Sequence, residues 1–383
     1  MRILIKNVVV IQKDRKFNGS VLINENIIEN IFENDVCNIN AAHIIDGKGY
    51  FLAPGMVDIH IHGSYGYDFI NNPKETVDIV SRGLIKEGTT SFLASLTVLP
   101  QNETIKLLKA YKNLDEKQAG ANFLGVHLEG PYLSYEKRQL MDGRFLRNPS
   151  IKEFDEMLQA ADGKLKYMTI APELDGMDDF IKYANEKVIL SIGHTMTDCN
   201  TALKAIKLGC KSFTHLYNAM GQHLHRQPMA VTAALTDNTA YSELIVDGNH
   251  IHPDVVKATY RILGSNQIIL ITDSMLAKNM ADGEYIFSNL ACKKQGNRIN
   301  VIETGIFAGS VITQLDAIKN MKEYCKCDEV ELFKMASYNP CKLLGIKNKG
   351  SIEIGKDADL ILLDVNLNLK ATFVGGKQLY WNS

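Results

Sequence analysis

Short apolar segments alternate with amphipathic segments between residues 56 and 273. The apolar segments are nearly continuous, which is typical of strands in a parallel sheet that is covered on both faces. They lie at residues 56–62, 89–97, 123–129, 166–172, 188–194, 211–216, 243–247 and 268–273. The segments between them have helical periodicity, for example Glu75 to Glu87, Glu103 to Lys112, Ile151 to Ala161, Thr197 to Leu208 and Pro253 to Leu263. Eight such units predict an α/β protein with a closed (β/α)8 barrel of the TIM type.

The two ends of the chain have a different pattern. Residues 1–53 and 346–383 consist of short alternating segments bounded by Asn, Asp, Lys or Gly, which predicts β-strands. Neither end is long enough to form a stable sheet alone. We therefore expect residues 1–53 plus 346–383 to form one small β-sandwich domain, and residues 54–345 to form the barrel domain. Residues 279–305 interrupt the alternation and predict a hairpin insertion.

Composition and charge narrow the classes of function. The 383 residues are enough for one large domain and a small one, and 45% apolar with 22% charged residues is ordinary for a globular protein. A net charge of -2 gives no overall field that would attract nucleic acid or an anionic membrane, so neither is an expected partner. The longest apolar runs are strand-sized, too short to cross a bilayer.

The cysteines and the first residues favour a cytoplasmic protein. The seven cysteines are scattered without C-x-x-C spacing, which indicates reduced thiols. The segment from Met1 to Asn7 reads as a strand and lacks the small-residue cleavage site of a signal peptide.

Five of the predicted strands end in a residue that could bind a metal ion. The first carries His60 and His62, which point to the same side because residues i and i+2 of a strand do so. The later strands end in residues of the same two ligand types, Glu129, His194, His215 and Asp273. In a parallel barrel these ends meet at one mouth, where that fold keeps its chemistry. Imidazole and carboxylate ligands without cysteine suit a divalent ion such as Zn²⁺ in a catalytic site, with Fe²⁺ or another divalent ion as an alternative.

Such an ion would lower the pKa of a bound water to about 7 and polarise a carbonyl group. Asp273 ends the last barrel strand, where it could accept the proton of that water and later pass it to a leaving amine. His250 follows the seventh strand and could reach a substrate.

Each of these residues also has a purely structural interpretation. A His-x-His pair arises by chance in alternating strands, Glu129 could belong to a turn, and Thr195 could cap a helix that begins at this point. His215 could be a core histidine, and Asp273 could be a helix cap. Their shared position at the strand ends favours one joint site over independent accidents.

A possible anion site follows the sixth strand. Asn218 and the neighbouring backbone N–H groups could bind phosphate oxygens, and Arg226 could add a bidentate guanidinium. Arg226 could equally be a surface charge, and the residues alone leave both open. No P-loop or GxGxxG follows any strand, so nucleotide binding has no support.

Seven segments carry a resemblance to a known family. They are residues 54–63 (PGMVDIHIHG), 125–133 (GVHLEGPYL), 193–195 (GHT), 214–220 (THLYNAM), 247–250 (DGNH), 272–274 (TDS) and 308–310 (AGS). Through them the chain resembles, essentially from end to end, the amidohydrolase superfamily and, within it, the N-acetylglucosamine-6-phosphate deacetylases. Glu129 stands where dihydroorotase-like and urease-like relatives use a carbamylated lysine. Residues 355–360 (GKDADL) are shared more widely in the superfamily.

The resemblance implies hydrolysis of the acetamide of N-acetylglucosamine 6-phosphate to glucosamine 6-phosphate and acetate. It implies that Glu129, His194 and His215 hold the principal metal ion, and that Asp273 is the acid and base. His60 and His62 would hold a second ion, since some members lack this pair and work with one.

The resemblance also implies substrate contacts. His250 would contact the sugar or help to polarise the carbonyl, and Phe307 is assigned to substrate binding as well. Asn218, Ala219 and Arg226 would bind the phosphate, with Arg226 reaching over from the neighbouring subunit of a homodimer.

Two stretches depart from the family pattern. Arg138-Gln139-Leu140-Met141 replaces Lys-Gly-Ala-His, so Met141 stands at a substrate-contacting position that is normally histidine. Residues 226–229 read RQPM in place of Arg-Glu-Pro-Gly. A missing hydrogen-bond partner can change substrate choice by orders of magnitude. The alternatives are therefore another N-acyl substrate, such as N-acetylgalactosamine 6-phosphate or an N-acylated amino acid, or an inactive barrel scaffold.

Overall fold

The computed structural model describes residues 1–34 and 39–382. Its strands are β1 (Arg2–Ile11), β2 (Lys16–Asn24), β3 (Ile27–Glu33), β4 (His43–Pro54), β5 (Met56–Ile61), β6 (Gly63–Ser64), β7 (Tyr67–Asp68), β8 (Thr89–Leu96), β9 (Asn122–Glu129), β10 (Leu165–Ile170), β11 (Ile189–Ile192), β12 (Ser212–Phe213), β13 (Tyr241–Ile245), β14 (Ile268–Ile271), β15 (Gly283–Phe287), β16 (Leu290–Gln295), β17 (Arg298–Val301), β18 (Leu360–Leu363), β19 (Leu369–Val374) and β20 (Lys377–Trp381).

The α-helices of the described residues are α1 (Pro73–Leu84), α2 (Gln101–Lys112), α3 (Ile151–Ala161), α4 (Met177–Ala184), α5 (Cys199–Leu208), α6 (Ala230–Thr236), α7 (Pro253–Leu263), α8 (Gln314–Cys325), α9 (Glu329–Phe333) and α10 (Asn339–Leu343). None of these helices combines the length and the apolar character that crossing a membrane requires.

Eight parallel strands form the barrel, in the order β5, β8, β9, β10, β11, β12, β13, β14. The ring closes between the last strand and the first, where the N–H of Asp273 donates to the carbonyl of His60 at 2.8 Å and the N–H of His62 donates to the carbonyl of Ser274 at 2.8 Å. Every residue of β5, β8 and β9 is buried, as their unbroken apolar character requires. All eight predicted strands are present, which confirms the barrel.

The helix boundaries follow local chemistry more closely than periodicity. The helix expected from Thr197 begins at Cys199, because the side chain of Asp198 accepts the N–H groups of Asn200 and Thr201 as an N-cap. The helix expected over Glu75 to Glu87 starts earlier, with Pro73 in its first turn, and its last three residues form a 3₁₀ turn.

The two chain ends meet in one seven-stranded sheet, as the fold prediction required. The order is β20, β19, β18, β4, β1, β2, β3, so β4 from the N-terminal part pairs with β18 from the C-terminal part, with Leu52 opposite Leu362. The strands form one continuous hydrogen-bonded sheet with a hydrophobic core of its own, which includes Ile5, Val21 and Phe373.

The insertion is larger than a hairpin. β15, β16 and β17 form a three-stranded antiparallel sheet. Phe287, Cys292 and Ile299 pack with Met275 and Ala308 in a separate core beneath it. Because Met275 lies in the segment that leaves the last barrel strand, β14, this sheet is fixed over one side of the barrel mouth.

An ionic cluster joins the end sheet to the barrel helices. Glu329 accepts hydrogen bonds from Lys16 of β2 at 2.5 Å and from Lys322 of α8 at 2.7 Å, and its side chain is only 8% exposed. Burial would raise the pKa of the Glu329 carboxyl, but the two lysines outweigh it and lower that pKa to about 2. Glu329 therefore stabilises the fold as an anion.

We expect Glu329→Gln to lower the free energy of unfolding at pH 7 by about 1–2 kcal/mol, a value discounted because both lysines are partly exposed. A folded-state pKa below the unfolded value means that this stabilisation is full above pH 4.5 and is lost as the pH falls toward 2. Urea denaturation of both proteins at pH 7 and pH 4 should show a smaller difference at the lower pH. Equal stabilities at pH 7 would contradict the assignment.

Candidate active site

Four histidines and two carboxylates converge at the C-terminal mouth of the barrel. The Nε2 atoms of His194 and His215 each lie 3.0 Å from Oε1 of Glu129, and the Nε2 atom of His62 lies 3.2 Å from its Oε2. The Nε2 atom of His60 lies 3.5 Å from the same carboxylate. Asp273 faces the group from the turn after β14, with its Oδ1 3.4 Å from Nε2 of His62. The structure thus brings together every residue that the sequence placed at the strand ends.

The arrangement contains two overlapping groups that could hold a metal ion, and they share Glu129. One is His60, His62 and Glu129, and the other is Glu129, His194 and His215, with the ligand atoms of each group within 4.8 Å of one another. All five side chains are buried. Buried nitrogen and oxygen atoms that point at one another across a small gap are the donor set that a divalent ion requires.

Three of these residues have a backbone conformation that L-residues rarely adopt. The φ angles are 46° for His194, 32° for His215 and 48° for Asp273. Each residue lies two positions after the end of a barrel strand, so the left-handed turn bends the chain and directs the side chain into the mouth. Such strain costs about 1–3 kcal/mol per residue and concentrates at functional sites.

The residue between β11 and His194 is Gly193, and its neighbours leave no room for a side chain. A Cβ at this position would lie 2.7 Å from the side chain of Thr169 and 2.7 Å from that of Thr214. Only glycine lets β11 pass between these neighbours and deliver His194 to Glu129.

The Nδ1 atoms of the four histidines differ in their hydrogen-bond partners. Nδ1 of His60 lies 3.0 Å from Oε2 of Glu243, and Nδ1 of His194 lies 2.7 Å from the carbonyl oxygen of Lys137. Nδ1 of His62 and Nδ1 of His215 have no hydrogen-bond partner among the described residues. His60 is therefore the imidazole with a carboxylate behind it.

The mutual electrostatics keep the carboxylates ionised. Burial disfavours the imidazolium of His60, but the surrounding carboxylates, Asp273 first, outweigh it and raise the pKa of His60 to about 9. Burial would raise the pKa of the Glu129 carboxyl, yet the adjacent histidines hold it well below its ordinary value. The pKa of the Asp273 carboxyl is lowered against burial in the same way. Asp273 is thus a carboxylate that can accept a proton.

A second acid and imidazole pair lies beside this cluster. Nδ1 of His250 lies 2.7 Å from Oδ2 of Asp247, and the ring centroid of His250 is 4.8 Å from that of Phe307. Burial would raise the pKa of the Asp247 carboxyl, but the hydrogen bonds from His250 lower it. Asp247 therefore fixes the ring of His250, with Nε2 left for a ligand.

A cavity of about 220 Å³ opens over the cluster. It is bounded by most of the residues proposed from the sequence, namely His62, Glu129, Met141, His194, His215, Asn218, Ala219, His250, Asp273 and Phe307. His60 lies beneath it, fully buried. Arg226 is exposed and does not line the cavity of its own chain.

Met141 forms an apolar part of the cavity wall. It is 7% exposed and packs with Val98 and Leu133. A thioether here cannot make the hydrogen bonds of a histidine, so this side of the cavity is less polar than the family pattern predicts.

The remaining histidines are accounted for without metal. His127 is hydrogen-bonded to Ser95 and Thr169 at 2.9 Å each and packs edge-on against the ring of His60. His252 caps α7. His223 and His225 are exposed.

Several residues of the site were missed in the sequence. Thr97, Arg138, Phe287, Ser288 and Ile306 also line the cavity. Phe287 and Ser288, which belong to the insertion, line the cavity because β15 ends over the barrel mouth. Spacing along the chain does not reveal this position. The sequence contained one signal for Glu243: it is the single charged residue in the segment that forms β13.

The fold and the site define a class. A (β/α)8 barrel with an added sheet and a histidine–carboxylate cluster at its mouth is the arrangement of metal-dependent amide hydrolases, and the sequence model described as "Amidohydrolase family" matches residues 51–379. The chain belongs to the amidohydrolase family.

Relatives narrow the position within that family. The chain is 35% identical over 381 residues to the N-acetylglucosamine-6-phosphate deacetylase of Bacillus subtilis (strain 168), covering 98% of this chain and 96% of the relative. It is 31% identical to the enzyme of the same name from Danio rerio, covering 89% and 87%. This places the chain among the N-acetylglucosamine-6-phosphate deacetylases.

Solved structures agree. The N-acetylglucosamine-6-phosphate deacetylase of Thermotoga maritima superposes with a TM-score of 0.88 at 30% identity, covering 99% of this chain and 100% of that one. A mutant of the Mycobacterium smegmatis enzyme, in complex with N-acetyl-D-glucosamine-6-phosphate, superposes with a TM-score of 0.91 at 25% identity, covering 99% of both chains.

Proposed function

We propose that this protein is a metal-dependent deacetylase that hydrolyses the acetamide of N-acetylglucosamine 6-phosphate to glucosamine 6-phosphate and acetate. The observation that carries the proposal is the convergence of Glu129, His194 and His215 with Asp273 at the floor of one cavity. The relatives named above act, by their names, on this substrate.

Glu129, His194 and His215 would hold the principal ion, and His60 and His62 would hold a second that shares Glu129. Zn²⁺ is the first candidate, with Fe²⁺ or another divalent ion as the alternative. When bound, such an ion acidifies water and polarises an amide carbonyl.

Asp273 would move the proton. As a carboxylate beside His60 and His62, it accepts a proton from the attacking water and then donates it to the nitrogen of the breaking C–N bond. The products are a carboxylic acid and a free amine, so one residue serves as base and then as acid.

The cavity walls would position the sugar phosphate. His250, oriented by Asp247, would contact the sugar or help to polarise the carbonyl through Nε2, and Phe307 packs against His250. Asn218 and Ala219, which line the cavity, would bind the phosphate. Arg226 would complete that site from the partner of a homodimer, which fits its exposed position outside the cavity of its own chain.

We expect Arg226→Ala to raise KM for the phosphorylated substrate by about 10- to 100-fold, because a charged hydrogen-bonding group contributes about 1.5–3 kcal/mol. KM for unphosphorylated N-acetylglucosamine should change little. Steady-state kinetics on both compounds measure this, with Arg82→Ala as the control, since Arg82 is an exposed arginine of α1 paired with Asp78. Equal changes of KM for both compounds would remove Arg226 from phosphate binding.

The proposed function is tested by acetate release from N-acetylglucosamine 6-phosphate, N-acetylgalactosamine 6-phosphate and N-acetylglucosamine with the metal-loaded protein. Turnover of the unphosphorylated compound as fast as its phosphate ester would overturn the phosphate requirement. The apolar wall at Met141 favours one alternative, a different N-acylated sugar phosphate. Inactivity on the whole panel with metal bound would indicate a scaffold.

A cytoplasmic location belongs to the same proposal. Six cysteines are free thiols in the described part of the chain, as expected for a reducing compartment. The seventh, Cys37, lies outside the described residues.

A further inference from the structure

We propose that Glu243 is a positioning residue that holds His60 in the orientation required by a metal ion and ties it to the turn that carries His215. Glu243 lies in the middle of β13, and its side chain is completely buried. The inference rests on the proposed metal-dependent function and concerns a residue behind the site rather than one that touches the ion.

The contacts of Glu243 reach two of the candidate ligands. Its Oε2 accepts the Nδ1–H of His60 at 3.0 Å and the backbone N–H of His215 at 3.1 Å. Its Oε1 accepts the hydroxyl of Tyr167 at 2.6 Å, and that hydroxyl lies 2.7 Å from Oγ of Ser212. One carboxylate thus connects β5, β10 and the turn after β12.

The first of these contacts sets the tautomer of His60. A carboxylate can only accept, so the proton of the neutral imidazole is held on Nδ1. When an ion displaces the second proton of this ring, Nε2 is the nitrogen that offers its lone pair, on the side where Glu129 and Asp273 each lie 3.5 Å away. A carboxylate behind a ligating histidine fixes the ring and strengthens it as a donor.

The other candidate histidines lack this support within the described chain. Nδ1 of His194 faces the neutral carbonyl of Lys137, and Nδ1 of His62 and of His215 face no partner. Glu243 therefore acts most directly on the group formed by His60, His62 and Glu129, and we infer that it sets the affinity of that position for its ion.

A role in packing alone is the competing explanation. Burying a carboxylate completely is unfavourable unless charge or hydrogen bonds compensate. A glutamine of the same shape could keep hydrogen bonds to Tyr167 and His60 without the charge. If Glu243 only packs, glutamine should serve nearly as well; if it polarises His60, glutamine should weaken metal binding.

The experiment is Glu243→Gln in the full-length protein, with Zn²⁺ affinity measured by competition with a chromophoric chelator. We expect the affinity of the position formed by His60, His62 and Glu129 to fall about 10- to 100-fold. The absorption bands of the Co²⁺-loaded protein should shift as well, because they report the ligand field. Glu329→Gln is the matched control, since it replaces another largely buried glutamate far from the site, and it should leave both readouts unchanged.

A double-mutant cycle identifies the route of the effect. Because Glu243 acts through His60, Glu243→Gln should add little to the affinity loss in a His60→Asn background. Independent, additive losses would contradict this route.

The outcomes separate the two proposals. Wild-type protein that binds neither Zn²⁺ nor another divalent ion and releases no acetate from N-acetylglucosamine 6-phosphate would overturn the proposed function itself. Wild-type protein that binds Zn²⁺, with a folded Glu243→Gln variant of equal affinity and an unchanged Co²⁺ spectrum, would overturn only the role of Glu243. If the variant does not fold, ¹⁵N-histidine spectra of the Zn²⁺-loaded wild type decide, since His60 must be protonated at Nδ1, and protonation at Nε2 would overturn the inference.

Discussion

Asp273→Asn should lower kcat for acetate release by about 1,000-fold while the protein keeps its metal. General acid and base groups contribute about 10²–10⁴-fold to rate, and here one side chain would supply both steps. A loss of this size corresponds to about 4 kcal/mol of transition-state stabilisation. Asparagine preserves the shape of the side chain, so the expected loss reflects the missing proton transfer rather than a changed cavity.

The measurement combines kcat with metal analysis of the same preparation. Asp359→Asn is the matched control, because Asp359 is a buried carboxylate at the opposite end of the barrel, where it pairs with Lys349 at 2.8 Å and contacts Asn122 at the start of β9. An Asp273→Asn protein with metal bound and more than a tenth of the wild-type kcat would exclude Asp273 as the proton carrier.

Glu129→Gln should remove tightly bound metal and reduce activity to the background of the assay. Glu129 belongs to both groups of ligand atoms, and its carboxylate lies within 3.5 Å of four histidine Nε2 atoms. Replacing the anion by an amide removes the charge that two positions share, so both should weaken together. His60→Asn, by contrast, should affect the His60–His62 position more than the other.

Elemental analysis after dialysis measures the metal per chain in each protein. Glu153→Gln is the control for Glu129→Gln, since Glu153 is a buried glutamate that is paired with Arg147 and belongs to neither group of ligand atoms. If Glu129→Gln protein retains the full wild-type metal content, Glu129 is not a shared ligand and the two-ion arrangement fails.

The barrel and the converging ligands could be predicted from the sequence because both depend on local patterns. A parallel strand buried on both faces must be apolar along its length, so β8 and β9 are visible as unbroken runs. The carboxyl ends of such strands must meet. Glu129 and Asp273 could therefore be placed together although 143 positions separate them along the sequence.

The environment of each ligand could not be predicted in the same way. The carboxylate behind His60 comes from Glu243, 183 residues further along the chain, and no spacing rule connects the two. The hydrogen-bond partner of His194 is the backbone carbonyl of Lys137. Every residue has a backbone carbonyl, so the sequence gives no sign of this contact. Phe287 reaches the cavity because the insertion folds back over the barrel, and this depends on packing with Met275.

The left-handed turns at His194, His215 and Asp273 have an implication for engineering. Glycine occupies such a conformation more easily than histidine or aspartate, by about 1–2 kcal/mol at each position. Selection of a mutant library for thermal stability alone would enrich replacements at these three positions, and the most stable variants would lack catalytic activity. A screen for thermostable variants of this protein therefore has to measure catalytic turnover together with the melting temperature.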